Sequence, residues 1–206
     1  MKQKFCFFDF DDTLIHGSSG TMLIRYYLKK HPLGVIYLIP MAIVCILYVL
    51  KLASFNQAKS ATLFPLNRMS EREVQAFFEE EVEKHYYPHV IEELKKKKEE
   101  GYVIYICSAS VEAYLRYCRL PVDAILGTKT VIKNNHYTGK MIGKNCKNEE
   151  KINRIMEVIK NHNLEIDYDH SFAYSDSKHD IPMLKMVKNR VKIDTKDGHM
   201  SPFIIE

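Results

Sequence analysis

The stretch Lys4–Thr13, KFCFFDFDDT, constrains the fold of this chain more than any other segment. A short apolar run, Phe5–Phe8, ends abruptly in the carboxylates of Asp9, Asp11 and Asp12. Such a run is typical of a buried parallel strand, and open α/β sheets bind their ligands at strand ends. Two carboxylates that meet at one spot repel each other, so they hold a cation or divide acid and base roles. The alternative is an N-terminal strand followed by a solvated acidic turn.

The length and composition are those of a globular protein. The chain has 206 residues, of which 46% are hydrophobic and 27% are charged. This is enough for one good-sized domain, or for a core domain with a smaller insert. The net charge of +4 is too small to indicate a nucleic-acid-binding protein, and no basic stretch is interleaved with aromatic residues. No protein partner is predicted.

The five cysteines predict a reduced protein of the cytoplasm. They are odd in number and contain no Cys-x-x-Cys pair, a pattern that favours buried thiols over a disulfide framework or a zinc site. They are Cys6, Cys45, Cys107, Cys118 and Cys146. No signal peptide is predicted, because Asp9 stands where the apolar region of a signal would lie.

Strand-like and helix-like segments alternate at the two ends of the chain. The predicted strands after the first are Tyr102–Cys107, Val122–Leu126, Ser171–Tyr174 and Arg190–Ile193, with a hairpin over Thr130–Ile142 around Asn134 and Asn135. The predicted helices among them cover residues 88–100, Val111–Tyr117, Glu149–Lys160 and Ile181–Val187. Between these ends the pattern is helical, with a capping box that begins a helix at Ser70. We therefore expect an α/β core, residues 1–15 and 89–206, interrupted by a helical insertion over residues 16–88.

Several of the predicted strands end in carboxylate or hydroxyl residues. Carboxylate oxygens suit Mg²⁺, which also accepts phosphate oxygens. A hydroxyl and an ammonium at the same place suit the oxygens of a phosphoryl group in transfer, and a carboxylate can itself be the nucleophile. The groups that fit this chemistry are Asp9, Asp11, Thr13, Ser108, Lys151, Asp176 and Asp180.

Four segments resemble the motifs of the haloacid dehalogenase superfamily of phosphatases. DFDDT matches its D-x-D-x-T motif, ICSAS carries its serine, NEEKI its lysine, and YSDSKHD its final acidic motif. The resemblance implies a Rossmann-like core with a mostly parallel sheet, a helical cap inserted between the first and second motifs, and Mg²⁺ as cofactor. Two common glycines of the family are replaced, by Asp12, whose role the sequence leaves open, and by Asn148, which tolerates a left-handed backbone.

The resemblance also implies catalytic roles. Asp9 would be the nucleophile, and Asp11 would protonate the leaving oxygen and then deprotonate the attacking water. Ser108 and Lys151 would bind the phosphoryl group, and Thr13 would steady the loop beside it. Thr13 taken alone reads as a turn hydroxyl.

The implied Mg²⁺ ligands are Asp9, Asp11 through its carbonyl, and Asp176. Asp180 would orient Lys151 or a metal-bound water. Taken alone, Asp176 and Asp180 could instead cap the following helix.

Two of these assignments have an alternative residue. Ser110 competes with Ser108, since either hydroxyl could be the N-cap of the next helix, and Ser108 is preferred because it follows the strand directly. Lys147 competes with Lys151, which the spacing of the family favours.

An uncharged run of 20 residues, His31–Leu50, lies inside the predicted insertion. It is about as long as a helix that crosses a bilayer core, and Pro40 near its middle is expected to break such a helix. One complete crossing is excluded, because it would separate Asp9 from Asp176. We expect a hairpin-like anchor that turns at Pro40 on the cytoplasmic face of the inner membrane, monotopic or re-entrant, with positive charges on both flanks. The alternative is a cytoplasmic protein in which the run is buried in the cap.

The predicted activity combines the motifs with this anchor. FFDFDDTL, IRYYLKKHPL and YSDSKHDIPML resemble the phosphatidylglycerophosphatase C group of the family, subfamily IB. This implies hydrolysis of the terminal phosphate of phosphatidylglycerophosphate through an aspartyl-phosphate intermediate. The alternatives are a soluble small-molecule phosphatase of the phosphoserine-phosphatase type and a catalytically silent membrane-binding module with the same fold.

Overall fold

The computed structural model describes residues 2–134 and 136–205, so Asn135 of the predicted hairpin turn lies outside the described residues. Its centre is a sheet of six strands, of which five run parallel and the last joins one edge in the antiparallel direction. In spatial order these strands are β10 (Met200–Pro202), β9 (Asn189–Ile193), β8 (Phe172–Ser175), β2 (Phe5–Phe8), β3 (Val103–Val111) and β4 (Ala124–Thr128). The predicted α/β fold with a mostly parallel sheet is confirmed.

Two short pairs of strands lie outside this sheet. β1 (Lys2–Gln3) pairs with β7 (Glu165–Ile166) in parallel. The predicted hairpin is formed by β5 (Thr130–Lys133) and β6 (His136–Met141).

The central strand β2 is buried on both faces. The side chains of Phe5 and Phe7 enter one core layer, together with Tyr105, while Cys6 and Phe8 enter the other. Apolar residues on both faces are what a parallel strand covered by helices requires. This position fixes the end of β2 at the carboxyl edge of the sheet.

Eight α-helices are present in the described residues. They are α1 (Ser19–Lys30), α2 (Leu38–Val49), α3 (Phe55–Thr62), α4 (Glu71–Phe77), α5 (Pro88–Glu99), α6 (Glu112–Leu115), α7 (Glu149–Asn161) and α8 (Ile181–Leu184). Helices α7 and α8 cover one face of the sheet, and α5 covers the other. The predicted capping box begins α4, where the N–H of Ser70 donates to the Glu73 carboxylate at 2.8 Å and the Ser70 hydroxyl accepts from the N–H of Glu73 at 3.3 Å.

Helices α1–α4 lie in the part of the chain predicted as an insertion. The hairpin, far from them in sequence, packs on the same side, since Gly139 N donates to Asn67 Oδ1 at 2.9 Å and Met141 N donates to Ser60 Oγ at 3.1 Å. The division into residues 1–15 plus 89–206 and residues 16–88 stays a prediction.

Strand β3 is longer than predicted. It continues past Cys107 to Val111, which pairs with Thr128 of β4 after an irregularity in the register. The predicted helix Val111–Tyr117 is therefore shortened to the single turn of α6.

The apolar run does not turn at Pro40, which corrects the prediction. Residues Pro32–Tyr37 form a 3₁₀ helix, and Pro40 lies in the first turn of α2. Proline is tolerated there, because the N–H that it lacks has no partner inside the first turn of a helix.

The chain reverses after α2 instead. Lys51 has φ +62, its N–H donates to Tyr48 O at 2.9 Å, and Leu52 N donates to Leu47 O at 2.8 Å. These two bonds around a left-handed residue form a Schellman motif, which ends a helix. Helix α3 then packs back against α2 through the edge-to-face contact of Phe55 with Tyr48.

The apolar run is mostly exposed, which corrects only the expectation that it is buried in the cap. Within Pro32–Val49, all of which is described, Gly34 is the one buried residue. Leu33 and Val49 are 85% and 77% exposed. By length and composition this segment could cross a membrane.

Candidate active site

The site begins where β2 ends. The N–H of Asp9 donates to Tyr174 O at 3.0 Å, which extends the pairing of β2 with β8 by one residue. Because the two strands are parallel neighbours, the residues that follow them emerge at the same edge of the sheet. Asp9 and Asp176 therefore both lie at the carboxyl edge of the sheet.

A buried lysine joins two of the predicted residues. Lys151 Nζ lies 2.8 Å from Asp9 Oδ1 and 2.7 Å from Asp180 Oδ1, and its side chain is 2% exposed. Ser175 Oγ donates to the other oxygen of Asp180 at 2.8 Å. Burial alone would lower the pKa of Lys151, but the two carboxylates more than offset it and hold that pKa above its ordinary value.

Opposing effects act on the ionisation of the Asp9 carboxyl. Burial raises the pKa of the Asp9 carboxyl well above its ordinary value, and the negative charges of Asp180 and Asp11 act in the same direction, while Lys151 opposes them. Lys151 thus favours the ionised form of Asp9, while burial and the neighbouring carboxylates disfavour it.

Asp11 is held by a separate set of donors. Its Oδ1 accepts from Ser19 N at 2.8 Å, and its Oδ2 accepts from Ser110 Oγ at 2.5 Å. Burial raises the pKa of Asp11, and the hydrogen bonds from Ser110 and Ser19 oppose that rise. A carboxyl with a raised pKa is suited to hold a proton for a leaving group and to regain one from water. Since the side chain is engaged, the backbone carbonyl is the group that Asp11 offers a metal.

Thr13 ties the loop after β2 to the loop after β8. Its Oγ1 accepts from Asp176 N at 3.2 Å and donates to Asp176 Oδ1 at 3.3 Å. Thr13 is fully buried, so this pair of bonds sets the position of the Asp176 carboxylate.

Asp12, whose role the sequence leaves open, closes the loop. Its φ is +55, and its Oδ1 accepts from Gly17 N at 2.9 Å. Glycine adopts this backbone region without strain, and aspartate is among the residues that tolerate it. Asn148 occupies the other position where the family commonly has glycine, and its φ is +52.

The two serines of β3 have different contacts. Ser108 is buried, and its hydroxyl oxygen accepts from Ser110 N at 3.0 Å, which leaves its O–H free to donate. Ser110 donates to Asp11. Of the two rival lysines, Lys147 is exposed and Lys151 is buried against Asp9.

Comparison with family models matches residues 6–185 to the haloacid dehalogenase-like hydrolases. The chain belongs to this family. The prediction of an enzyme of the haloacid dehalogenase family is therefore confirmed. A comparison with curated proteins found no match.

Solved structures share this haloacid dehalogenase-like fold. A protein of unknown function from Bordetella pertussis Tohama I is 19% identical, with a TM-score of 0.77, over 94% of this chain and 91% of that one. A substrate-bound phosphoserine phosphatase is 18% identical, with a TM-score of 0.63, over 92% and 85%. A phospho-aspartyl intermediate analogue of phosphoserine phosphatase is 19% identical, with a TM-score of 0.63, over 94% and 87%. At these identities the likeness shows the fold.

The donor set of this haloacid dehalogenase-like site suits Mg²⁺. No three His, Cys, Asp or Glu side chains form a metal-binding group within residues 2–134 and 136–205. Mg²⁺ needs fewer, since it is usually held by one or two carboxylates and keeps waters or phosphate oxygens as its other ligands. Asp9, Asp176 and the carbonyl of Asp11 are the groups that would hold it. Asp12 and Asp180 add negative charge, which raises the pKa of Asp176 further after burial has raised it.

Several residues of the site were missed by the sequence analysis. Ser19 Oγ lies 2.8 Å from Ser110 Oγ and 2.9 Å from the hydroxyl of Tyr114, and this buried cluster holds Asp11. Ser175, which orients Asp180, lies inside the segment YSDSKHD but is given no role there. A polar residue directly after a buried strand is the signal that could have found it.

Proposed function

We propose that the chain is a Mg²⁺-dependent phosphomonoester hydrolase that works through an aspartyl phosphate on Asp9. The observation that carries this proposal is the half-buried Asp9 carboxylate with the buried Lys151 Nζ at 2.8 Å, beside an Asp11 that is held independently. A nucleophile and an acid–base group with separate environments are what a two-step displacement requires.

In the first step an oxygen of Asp9 attacks phosphorus and the bond to the leaving oxygen breaks. Asp11 gives its proton to that oxygen. In the second step Asp11 removes a proton from water, whose oxygen attacks phosphorus, and the carboxylate of Asp9 is released with inorganic phosphate. Lys151 and the O–H of Ser108 bind the phosphoryl oxygens as negative charge builds on them. Mg²⁺, held by Asp9, Asp176 and the Asp11 carbonyl, supplies further positive charge when bound.

Divalent cations are expected to be essential. Dialysis against EDTA should abolish the hydrolysis of p-nitrophenyl phosphate, and added Mg²⁺ should restore it. Asp176→Asn should raise the Mg²⁺ concentration for half-maximal rate by about 10-fold or more, since it removes a ligand carboxylate. Asp169→Asn, at an exposed ion pair with Lys188, serves as the control. Full activity in EDTA would contradict the metal assignment.

The substrate cavity lies between the core and the helical part of the chain. It has a volume of about 490 Å³ and extends from Asp11 and Ser110 to Tyr48 and Phe55, with mostly apolar walls. Asp11 is its one acidic lining residue among those described. An apolar cavity that ends at exposed helix α2 supports a substrate with an apolar part.

We propose that this substrate is an anionic phospholipid with a terminal phosphate, phosphatidylglycerophosphate, at a membrane surface. Helix α2 presents Ile39, Ile43 and Ile46, at 65%, 53% and 58% exposure, on one face at helical spacing. Exposed apolar surface of this kind, with lysines before and after it, favours insertion into the interface of an anionic bilayer. The resemblance to the phosphatidylglycerophosphatase C group supports the same substrate.

A soluble phosphomonoester of the phosphoserine type is the second candidate. It is favoured by the solved structures of similar fold, two of which are phosphoserine phosphatases. An amino-acid substrate carries an ammonium group, and the described lining of the cavity offers it no carboxylate besides the catalytic Asp11. Phosphate release from phosphatidylglycerophosphate in detergent micelles, compared with release from phosphoserine, decides between the two.

Replacing the three isoleucines of α2 by glutamate is expected to separate membrane binding from chemistry. The variant Ile39→Glu/Ile43→Glu/Ile46→Glu should lose binding to anionic vesicles in a flotation assay and lose most lipid hydrolysis. Its rate on p-nitrophenyl phosphate should stay within about 3-fold of wild type, because surface changes away from packed contacts cost little stability. Ile204→Glu, at a position that is 81% exposed and distant in sequence, is the control. Unchanged flotation of the triple variant would exclude α2 as the anchor.

A further inference from the structure

The cavity beside Asp11 contains a half-buried ammonium that the proposed reaction does not use. Lys59, on α3, lines this cavity, and its Nζ donates to Ala109 O at 2.6 Å and to Asn145 Oδ1 at 2.6 Å. An ammonium has three N–H donors, and these two acceptors are the partners that the described residues give it. One donor is left for a group inside the cavity.

Lys59 has no anionic partner within the described ranges 2–134 and 136–205. Both of its acceptors are neutral, and Asp11 acts on it through charge without a hydrogen bond. Burial lowers the pKa of Lys59 to about 8. A half-buried charge without a counter-ion is unfavourable, and such a group beside a catalytic site points to a ligand that supplies the missing charge.

The position of Lys59 specifies which part of the substrate it meets. In the proposed reaction Asp11 protonates the leaving oxygen, so the leaving group occupies the cavity that Asp11 and Lys59 both line. The transferred phosphoryl group lies instead against Lys151 and Ser108. Lys147 lines the same cavity, and its charge lowers the pKa of Lys59 further. Two cations thus face the leaving group.

We propose that Lys59, together with Lys147, binds a second anionic group carried by the leaving group of the substrate. The proposal rests on the proposed phosphatase function and deepens it. In a phospholipid substrate the second anion is the phosphodiester, and in a phosphoamino acid it is the carboxylate. The apolar residues Cys45, Tyr48 and Phe55 at the other side of the cavity favour the phosphodiester, since acyl chains would leave past α2.

The test compares substrates with and without the second anion. The probes are phosphatidylglycerophosphate in micelles, phosphoserine, and p-nitrophenyl phosphate, which has no second anion. Lys59→Met should lower kcat/KM for the preferred two-anion substrate by about 10- to 100-fold, mostly through KM, because it removes a charged hydrogen bond. The rate on p-nitrophenyl phosphate should change by less than about 3-fold, and Lys59→Arg should restore most of the loss. Lys140→Met, an exposed lysine of the hairpin, is the matched control.

The outcomes separate the subsite from the lipid proposal. A loss confined to phosphoserine supports the subsite with a carboxylate as its anion and refutes the lipid substrate. An equal loss on all three substrates shows that Lys59 maintains the fold or the chemistry, and overturns the subsite. So does a Lys59→Met enzyme with unchanged kinetics throughout. A wild-type enzyme that prefers neither two-anion substrate to p-nitrophenyl phosphate overturns it as well.

Discussion

Asp9→Asn is expected to reduce phosphate release by about 10³-fold or more, because an amide oxygen is a poor nucleophile toward phosphorus. Wild-type enzyme quenched with acid during turnover of a ³²P-labelled phosphomonoester should retain label that hydroxylamine removes, as an acyl phosphate does. The variant should retain none. Asp169→Asn, which leaves the site intact, should label like wild type.

The same substitution is expected to leave the fold intact or to stabilise it without Mg²⁺. Burial raises the pKa of Asp9 in the folded chain, so its ionised form at neutral pH opposes folding. The neutral amide removes that cost, and Lys151 keeps its ion pair with Asp180 at 2.7 Å. A thermal midpoint at or above that of wild type, together with lost activity, therefore assigns the loss to chemistry. Normal labelling of the variant would remove Asp9 from the role of nucleophile.

The sequence predicts those parts of the molecule that depend on contacts close along the chain. The run Phe5–Phe8 gives β2, and the change from apolar to acidic residues marks the carboxyl edge of the sheet. The amphipathic pattern of Glu149–Lys160 gives α7 and places Lys151 in its first turn. In each case the local sequence pattern and the tertiary packing favour the same structure, so packing does not override the prediction.

Other features depend on pairing between distant segments. The strand β3 passes through Ser108 and Ser110 because Val111 pairs with Thr128, and only that pairing gives the two serines different partners. The edge strand β10 contains Pro202 and is defined by its antiparallel partner β9. Neither the length of a strand nor the pairing of an edge strand can be predicted from a short stretch of sequence.

Lys59, which lines the cavity, also depends on contacts with distant segments and could not be singled out from the sequence. Its two acceptors lie 50 and 86 residues away in the sequence. In the sequence it is one of several lysines that flank an apolar run, and such lysines are usually solvated. Its position in the cavity is set by the approach of α3 to the segment that carries Asn145. No local sequence pattern predicts that approach.

Lys151→Met is expected to abolish turnover and to weaken the fold, since the buried Lys151 is the one cation paired with the carboxylates of Asp9 and Asp180 among the described residues. Turnover should fall by about 10²-fold or more, because the phosphoryl charge loses its ammonium partner. Removing one partner of a buried ion pair costs about 3–5 kcal/mol of unfolding free energy. Lys160→Met, at an exposed position of the same helix, is the control for the substitution itself.

The pH dependence of the loss in unfolding free energy tests whether that loss is electrostatic. Lys151 opposes the rise in the pKa of Asp9 that burial causes, so the pKa of Asp9 should rise further in the Lys151→Met variant. A carboxyl whose folded pKa lies above its unfolded value destabilises the fold once the pH exceeds the unfolded value near 4, and the loss is recovered as the pH falls back toward that value. In Mg²⁺-free urea titrations the difference between variant and wild type should therefore be smaller near pH 4 than at neutral pH. A difference that is equal at both pH values would attribute the loss to packing rather than to charge, because the volume that methionine fills does not depend on pH.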